Sequence, residues 1–239
     1  MPGDIMNIFC TFNEEEHQTW KILYQNLDKA RNIYAHPLYT KGLEILDIRR
    51  DRIPSIDIIN QKLMQLTGWQ VVPAEGLVDG RSFFKGLASK QFPVGNFIRN
   101  GNDLAYTPAP DIFHDLYGHI PFYTNQRYAR FCEEFGRSAV KHAGTSERLK
   151  KYERVFWFGV EFPLIKTKGG EKIFGGGILS SSHECDYSMS SNPKKMPFDI
   201  SIMSETEYRI DTMQEKIFVL ESEDQLYGSI PAVERVLNL

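Results

Sequence analysis

Cysteine is scarce in this chain. Cys10, Cys132 and Cys185 are odd in number and scattered, with no CxxC among them. An oxidised framework is therefore not expected, and the composition suits a reducing cytoplasm. Neither sign of charge is in excess: 28 basic residues against 31 acidic ones leave a formal net charge of -3. That balance carries no electrostatic footprint for nucleic acid or an anionic membrane, so a small molecule is the expected partner. No apolar run is long enough to span a bilayer, since the most apolar stretch, Val155 to Ile165, is short and interrupted by Glu161. The start, Met1-Pro-Gly-Asp-Ile5, has no basic segment leading into an apolar one, and no signal peptide is read. Repeats, low-complexity tracts and Pro/Gly/Ser linkers are also missing, so residues 1–239 read as one domain. What is present is an ordinary globular composition, 41% hydrophobic and 25% charged, enough for a sizeable core, with 16 Phe and 11 Tyr making it rich in aromatics.

Hydrophobic periodicity supplies the elements. Asn13 with Glu16 three residues on predicts a helix start, and Trp20, Leu23, Tyr24 and Leu27 continue it as an apolar stripe. Leu43 and Leu46 mark a second helix, ended near Arg52-Ile-Pro54. Ile56, Ile59, Leu63 and Leu66 mark a third, with Gly68 as its terminator. Asp79 is placed to cap a short helix through Phe83, Phe84 and Leu87, closed by Pro93. Thr124 or Asn125 opens a longer one that buries Tyr128, Phe131, Phe135 and Ala139. Val155 to Leu164 reads as helix, with strand as the rival. Ile165 to Thr167 and Lys172 to Phe174 flank Gly169-Gly170 as a hairpin, and Glu215 to Leu220 reads as a strand. The sum is a mostly α fold with a small β element.

Two of the six histidines, His114 and His119, lie in Pro110-Asp-Ile-Phe-His-Asp-Leu-Tyr-Gly-His-Ile-Pro121. A separation of five rotates the second side chain by roughly 140° on an ideal α-helix, so the two imidazoles share no face. Convergence on one ion needs the backbone to depart from that geometry, and Gly118 and Pro121 offer the freedom. A third ligand is available in Glu161, a carboxylate inside Phe156-Trp-Phe-Gly-Val-Glu-Phe162, where an unpaired buried charge is costly. Two histidines and one carboxylate on one face of an octahedron form the donor set of non-heme iron(II) oxygenases. On residues alone a plainer reading stands beside this one: an HxxxxH pair is weak by itself, and Glu161 fits the exposed side of an amphipathic helix. His17, His36 and His142 have charged or polar neighbours and read as surface residues.

Further along, the chain resembles the pterin-dependent aromatic amino acid hydroxylases, the bacterial phenylalanine 4-hydroxylases among them. The likeness runs from about Leu43 to about Leu220. It is carried by Gly68-Trp69, Pro73 to Phe83, Phe97-Ile-Arg99, Tyr106-Thr-Pro108, Pro110 to Pro121, Phe156 to Leu164 and Phe174 to Ser181. The resemblance implies a single catalytic domain with helices around an open basin, and iron(II) at its floor held by His114, His119 and Glu161. It implies a tetrahydropterin stacked on Phe83, with backbone contacts from Gly76, Leu77 and Val78 and a contact from Asp115, directly or through water. It implies an amino acid whose carboxylate pairs with Arg99, assisted by Thr107, Ser180 and Ser181, and whose ring lies near Trp157, Pro110, His114 and Gly177. Dioxygen is the co-substrate, reduced by two electrons from the pterin and two from the amino acid.

Several positions depart from the family pattern. Asp115 stands where Glu is usual, and Ala109, Gly159, Pro163 and His183 replace Glu, Thr, Gly and Gly. Pro163 is expected to disturb the helix near Glu161, because it has no N–H to donate. Trp157, and Ile210 where tyrosine hydroxylases carry Asp, favour phenylalanine as substrate, with the product tyrosine. Another aromatic substrate or ring position, such as tryptophan or the 3-position of phenylalanine, is the alternative within the family. A zinc-dependent hydrolase on the same ligands and a catalytically silent binding protein are the rivals outside it. The length leaves no room for the family's regulatory domain and the chain shows no heptad tail for tetramerisation, so a monomer or small homo-oligomer is expected.

Overall fold

A computed structural model of the chain describes residues 9–104, 107 and 109–237. Its helices are α1 (Glu14–Asn26), α2 (Pro37–Leu46), α3 (Ile56–Leu66), α4 (Gly80–Ala88), α5 (Gln126–His142), α6 (Ser146–Phe156), α7 (Gly176–Leu179), α8 (Ser182–Ser188), α9 (Ile200–Glu205), α10 (Glu223–Tyr227) and α11 (Ile230–Leu237). Its strands are β1 (Gln70–Ala74), β2 (Gln91–Gly95), β3 (Leu164–Thr167), β4 (Gly170–Ile173), β5 (Lys194–Pro197) and β6 (Lys216–Leu220). None of the described helices is long and apolar enough to cross a membrane.

The helix starts follow from local chemistry. Asn13 caps α1 with a capping box closed by Glu16, Asp79 caps α4 by accepting from the N–H groups of Arg81 and Ser82, and Asn125 caps α5 in the same way. Each cap satisfies N–H groups that the helix itself leaves without partners. Most of the predicted apolar faces are inside: Trp20, Leu23 and Leu27 of the first helical region, Ile59 and Leu63 of α3, and Tyr128, Phe131, Phe135 and Ala139 of α5 are buried, whereas Leu66 of the α3 stripe is exposed. Gly68 follows α3 with a φ of +75°, as a helix terminator should.

Other boundaries moved. Pro93 does not close α4; Ser89 and Lys90 do, Lys90 at a φ of +58°, and Pro93 sits inside β2. β2 tolerates it because β1 and β2 form a two-stranded parallel pair, in which each strand has a free edge. The stretch 155–164 is neither wholly helix nor strand: α6 begins at Ser146 under a Thr145 cap, a short π-helical segment follows over Trp157–Glu161, and β3 starts at Leu164. Pro163 therefore lies beyond the helical hydrogen bonding and disturbs nothing there; its carbonyl accepts from Phe174 N–H at 3.1 Å.

The second sheet has the order β4-β3-β6-β5. β3 is antiparallel to β4 through the predicted hairpin and parallel to β6, and β6 is parallel to β5. That sheet meets the Trp157–Glu161 segment through β6, while β2 and α7 pack on a central helical stretch, residues 112–124, whose Ile112, Phe113, Leu116, Tyr117, Ile120 and Phe122 are fully buried. Phe113 packs edge-on to Trp20, and Tyr117 packs edge-on to Tyr24 and Tyr39, so α1 and α2 brace one side of that stretch. Its other side carries the histidines.

Candidate metal centre

His114 and His119 stand at the two ends of a π-helical segment, His114–His119. Hydrogen bonding from i to i+5 brings the fifth residue nearly above the first, so a spacing that scatters ligands on an α-helix gathers them here. The bend expected from Gly118 and Pro121 is thus supplied by a widened turn. Glu161 ends the π segment Trp157–Glu161, closed by Phe162 N–H donating to Trp157 O at 2.9 Å.

The three donor atoms converge. His119 Nε2 lies 3.0 Å from Glu161 Oε2 and 3.2 Å from His114 Nε2, and His114 Nε2 lies 3.7 Å from Glu161 Oε2. Bonds of about 2.1 Å at right angles to a first-row ion would set neighbouring donors about 3 Å apart, so the set fits a single cation on one face. Among the described residues these three form the group of His, Cys, Asp and Glu able to hold a metal. Burial, with the neighbouring His119 second, pushes His114 down to about 4, which keeps it neutral as a ligand must be. Burial also works to lower His119, but Glu161 outweighs it and the net shift is upward. Burial works to raise Glu161, yet the two imidazoles hold it below the ordinary carboxylate range.

The packing behind these ligands leaves no slack. Gly176 lies so close to His119 that a methyl group there would overlap the imidazole, and a methyl on Gly177 would come within 2.8 Å of Glu161 Oε2. The glycine run 175–177 therefore admits backbone to the ligands themselves, which is a different neighbour from the substrate ring expected for Gly177. Ser180 Oγ is 2.9 Å from His114 Nδ1 and donates to Gly177 O at 3.0 Å. With its one proton given to Gly177, the hydroxyl accepts from Nδ1–H, leaving His114 Nε2 as a lone pair toward the other donors. Ser181, by contrast, accepts from Glu184 N–H as the cap of α8. Phe92 stacks on His119 with ring centroids 5.4 Å apart.

Arg99 is held side-on. Its Nε donates to Asp111 Oδ2 at 2.8 Å and its Nη2 to Asp111 Oδ1 at 2.9 Å, while Nη1 donates to Leu104 O at 3.3 Å. These three bonds leave one N–H on each Nη. Asp111 also accepts from the backbone N–H groups of Arg99 and His114, both at 2.9 Å, and is fully buried. Burial works to raise its pKa, but the Arg99 guanidinium more than offsets this and the net shift is downward. A cavity of about 400 Å³ opens beside Arg99, lined by Leu23, Asn26 and Leu27 of the α1 region, by residues 101–104, and by Ser180, Ser181, Ser182 and His183.

Asp115 points at the backbone, accepting from Gly95 N–H at 2.7 Å, and its burial raises it to about 8. Phe83 is half-buried and edge-on to Phe92 and Phe156, so its ring is linked through Phe92 to His119. Gly76 and Leu77 are exposed in the loop after β1, Gly76 at a φ of +73°. Trp157 is stacked with Phe162 and Tyr208. Pro110 is exposed, Thr107 donates to Ala109 O, and Tyr106 and Pro108 of the same motif lie outside the described residues. Ile210 is 80% exposed and borders no described wall of the cavity. Of the other histidines, His36 is more than a surface residue: it caps α2 and sits edge-on to Phe174.

Residue-by-residue reading missed Asp111, Gly176 and Phe92. Asp111 alone left a signal, an acid three residues before a histidine inside an otherwise apolar motif.

Helices enclosing two imidazoles and one carboxylate, with a guanidinium fork beside them, define a mononuclear non-heme metalloprotein of the oxygenase type. Residues 4–232 match the family described as biopterin-dependent aromatic amino acid hydroxylase, and the chain belongs to that family. It is 41% identical over 219 residues to phenylalanine-4-hydroxylase of Chromobacterium violaceum, covering 91% of this chain and 73% of the relative. The fold superposes on the crystal structure of the C. violaceum enzyme with bound oxidized Fe(III) at a TM-score of 0.91, with 36% identity over 100% of this chain and 88% of that one. It superposes on the form with iron(III) and the oxidized cofactor 7,8-dihydrobiopterin at 0.89, with 37% identity over 97% and 86%.

Proposed function

We propose that this chain is an iron(II)- and tetrahydropterin-dependent monooxygenase that hydroxylates the ring of phenylalanine to give tyrosine. The convergence of His114 Nε2, His119 Nε2 and Glu161 Oε2 within 3.0–3.7 Å carries the proposal. The relatives named above support the choice of amino acid.

His114, His119 and Glu161 would hold the iron, and Phe83, the 76–78 loop and Asp115 would hold the pterin. Bound together, the two supply the activation of dioxygen, with electrons drawn from pterin and substrate. The residues of the chain do the rest. Asp111 pins Arg99 so that its end-on fork meets the substrate carboxylate in a bidentate pair. Ser181, which lines the cavity beside Arg99, and Thr107 would complete the carboxylate pocket. Ser180 serves the metal first, holding the His114 tautomer through Nδ1. Trp157 orients the substrate ring, while the aromatic packing of Phe92, Phe83 and Phe156 keeps the floor dry.

The deciding experiment supplies the protein with iron(II), a tetrahydropterin, oxygen and each aromatic amino acid in turn, then identifies products by mass and ring position. Tyrosine from phenylalanine, with pterin consumed, is expected. A 3-hydroxylated product or hydroxytryptophan would reassign the substrate, and zinc-dependent hydrolysis without pterin consumption would overturn the proposal. A single catalytic domain, a cytoplasmic location and a monomeric or small homo-oligomeric state belong to the same proposal, the last tested by size-exclusion chromatography with light scattering.

A further inference from the structure

The indole N–H of Trp157 donates to Gln214 Oε1 at 3.0 Å. The amide nitrogen of Gln214 donates in turn to Arg209 O at 2.7 Å and Thr212 O at 3.1 Å. Gln214 is 5% exposed, so its amide is withdrawn from water and matched at both ends. Tyr208, three residues after the end of α9, stacks on Trp157 with centroids 4.3 Å apart and planes 13° from parallel. Tyr208, Arg209, Thr212 and Gln214 all belong to the connection 206–215 between α9 and β6, which has no helix or strand of its own. One amide and one ring thus tie a whole loop to a single indole, which Phe162 also holds with ring centroids 4.6 Å apart.

We propose that Gln214 is a positioning residue that sets the affinity of the pocket for its aromatic amino acid. It acts through Trp157, coupling the rotamer of that pocket wall to the folded state of segment 206–215. The proposal rests on the reading that Trp157 lines the substrate pocket. A half-buried indole whose N–H has no partner can turn to seek one, whereas an N–H held by a buried, fully matched amide stays in place. The wall the substrate ring meets is then rigid on the amino acid side, and the pterin side does not feel it.

The test compares Q214L, Q214E, W157F and the double variant Q214L/W157F. Two kinds of readout are used: KM for phenylalanine and for the pterin measured separately, and the indole ¹H–¹⁵N resonance of Trp157 in metal-free protein, identified by its loss in W157F. Expected for Q214L are a shifted indole resonance and a phenylalanine KM raised about five- to tenfold, the size of one lost buried hydrogen bond, with the pterin KM within about twofold. The double variant should be no worse than W157F alone, because both changes act on one contact. Q214E keeps an acceptor for the indole but donates to Arg209 O and Thr212 O only when protonated, so it should return the resonance toward its wild-type position as pH falls. If Q214L does not accumulate as folded protein, Q214E against W157F answers the same question. An unchanged phenylalanine KM in Q214L, an equal rise in the pterin KM, or independent multiplication of the two effects would overturn the proposal and leave Gln214 as a loop staple. A W157F variant with wild-type phenylalanine KM would instead remove the underlying reading of Trp157.

Discussion

Around His114, His119 and Glu161 each important side chain is held by another. Ser180 holds His114, Phe92 faces His119, Asp111 locks Arg99, and the glycine run presses backbone against the ligands. At the rim the order reverses. Gly76 and Leu77 are exposed, Pro110 is exposed, and Ile210 stands out in solvent on a loop anchored behind it by Gln214. The floor is a buried polar network in which removing one member strands its partners, while the rim is a set of surfaces that a ligand must complete. Substitutions at the floor should therefore damage stability, metal and activity together, and those at the rim should damage one ligand's affinity alone.

The largest effect is expected at the ligands. Glu161→Ala or His119→Ala should abolish iron retention, read by elemental analysis, and product formation with it; wild-type turnover in either would misplace the centre. Asp111→Ala comes next. It leaves the Arg99 guanidinium buried without its carboxylate, and should cost roughly 3–5 kcal/mol in chemical denaturation as well as raising the phenylalanine KM. The pH dependence sharpens this. The folded pKa of Asp111 is depressed, so its stabilisation is full above the unfolded carboxylate value near 4 and is lost as pH falls through the lower folded value. The stability gap between wild type and Asp111→Asn should narrow on acidification below about pH 4, and a constant gap would show that the ion pair is not its source.

Gly176→Ala should destabilise by about 1–3 kcal/mol through overlap with His119, and weaken metal affinity. Ser180→Ala should weaken iron binding roughly 10- to 100-fold through the lost Nδ1 partner, read by chelator competition. If Ser180→Ala altered only the phenylalanine KM, its first duty would be to substrate. The smallest effect belongs to the rim: Leu77→Ala should leave unfolding free energy within about 0.5 kcal/mol and move only the pterin KM.

The helix starts at Asn13, Asp79 and Asn125 were legible because a cap and its stripe are local. The hairpin around Gly169-Gly170 was legible for the same reason. α6 was faint because its first two turns are mostly charged, and β1, β2 and β5 were missed because short strands with one free edge carry no clean alternation. Of the site, the family motifs pointed to residues, and only the structure shows their neighbours within the protein: Ser180 bonds to His114, Gly177 packs on Glu161, and Asp115 faces Gly95.

By itself the chain's sequence determined which donors were available, where helices begin, and which faces are apolar, since caps, periodicity and side-chain chemistry act within a few residues. Only the tertiary structure decided that histidines five apart meet across a π turn, that Glu161 arrives from 42 residues away to join them, and that Arg99 offers its end and not its side. Those outcomes depend on which buried partner each polar atom finds, and that is settled by packing between segments distant in the chain.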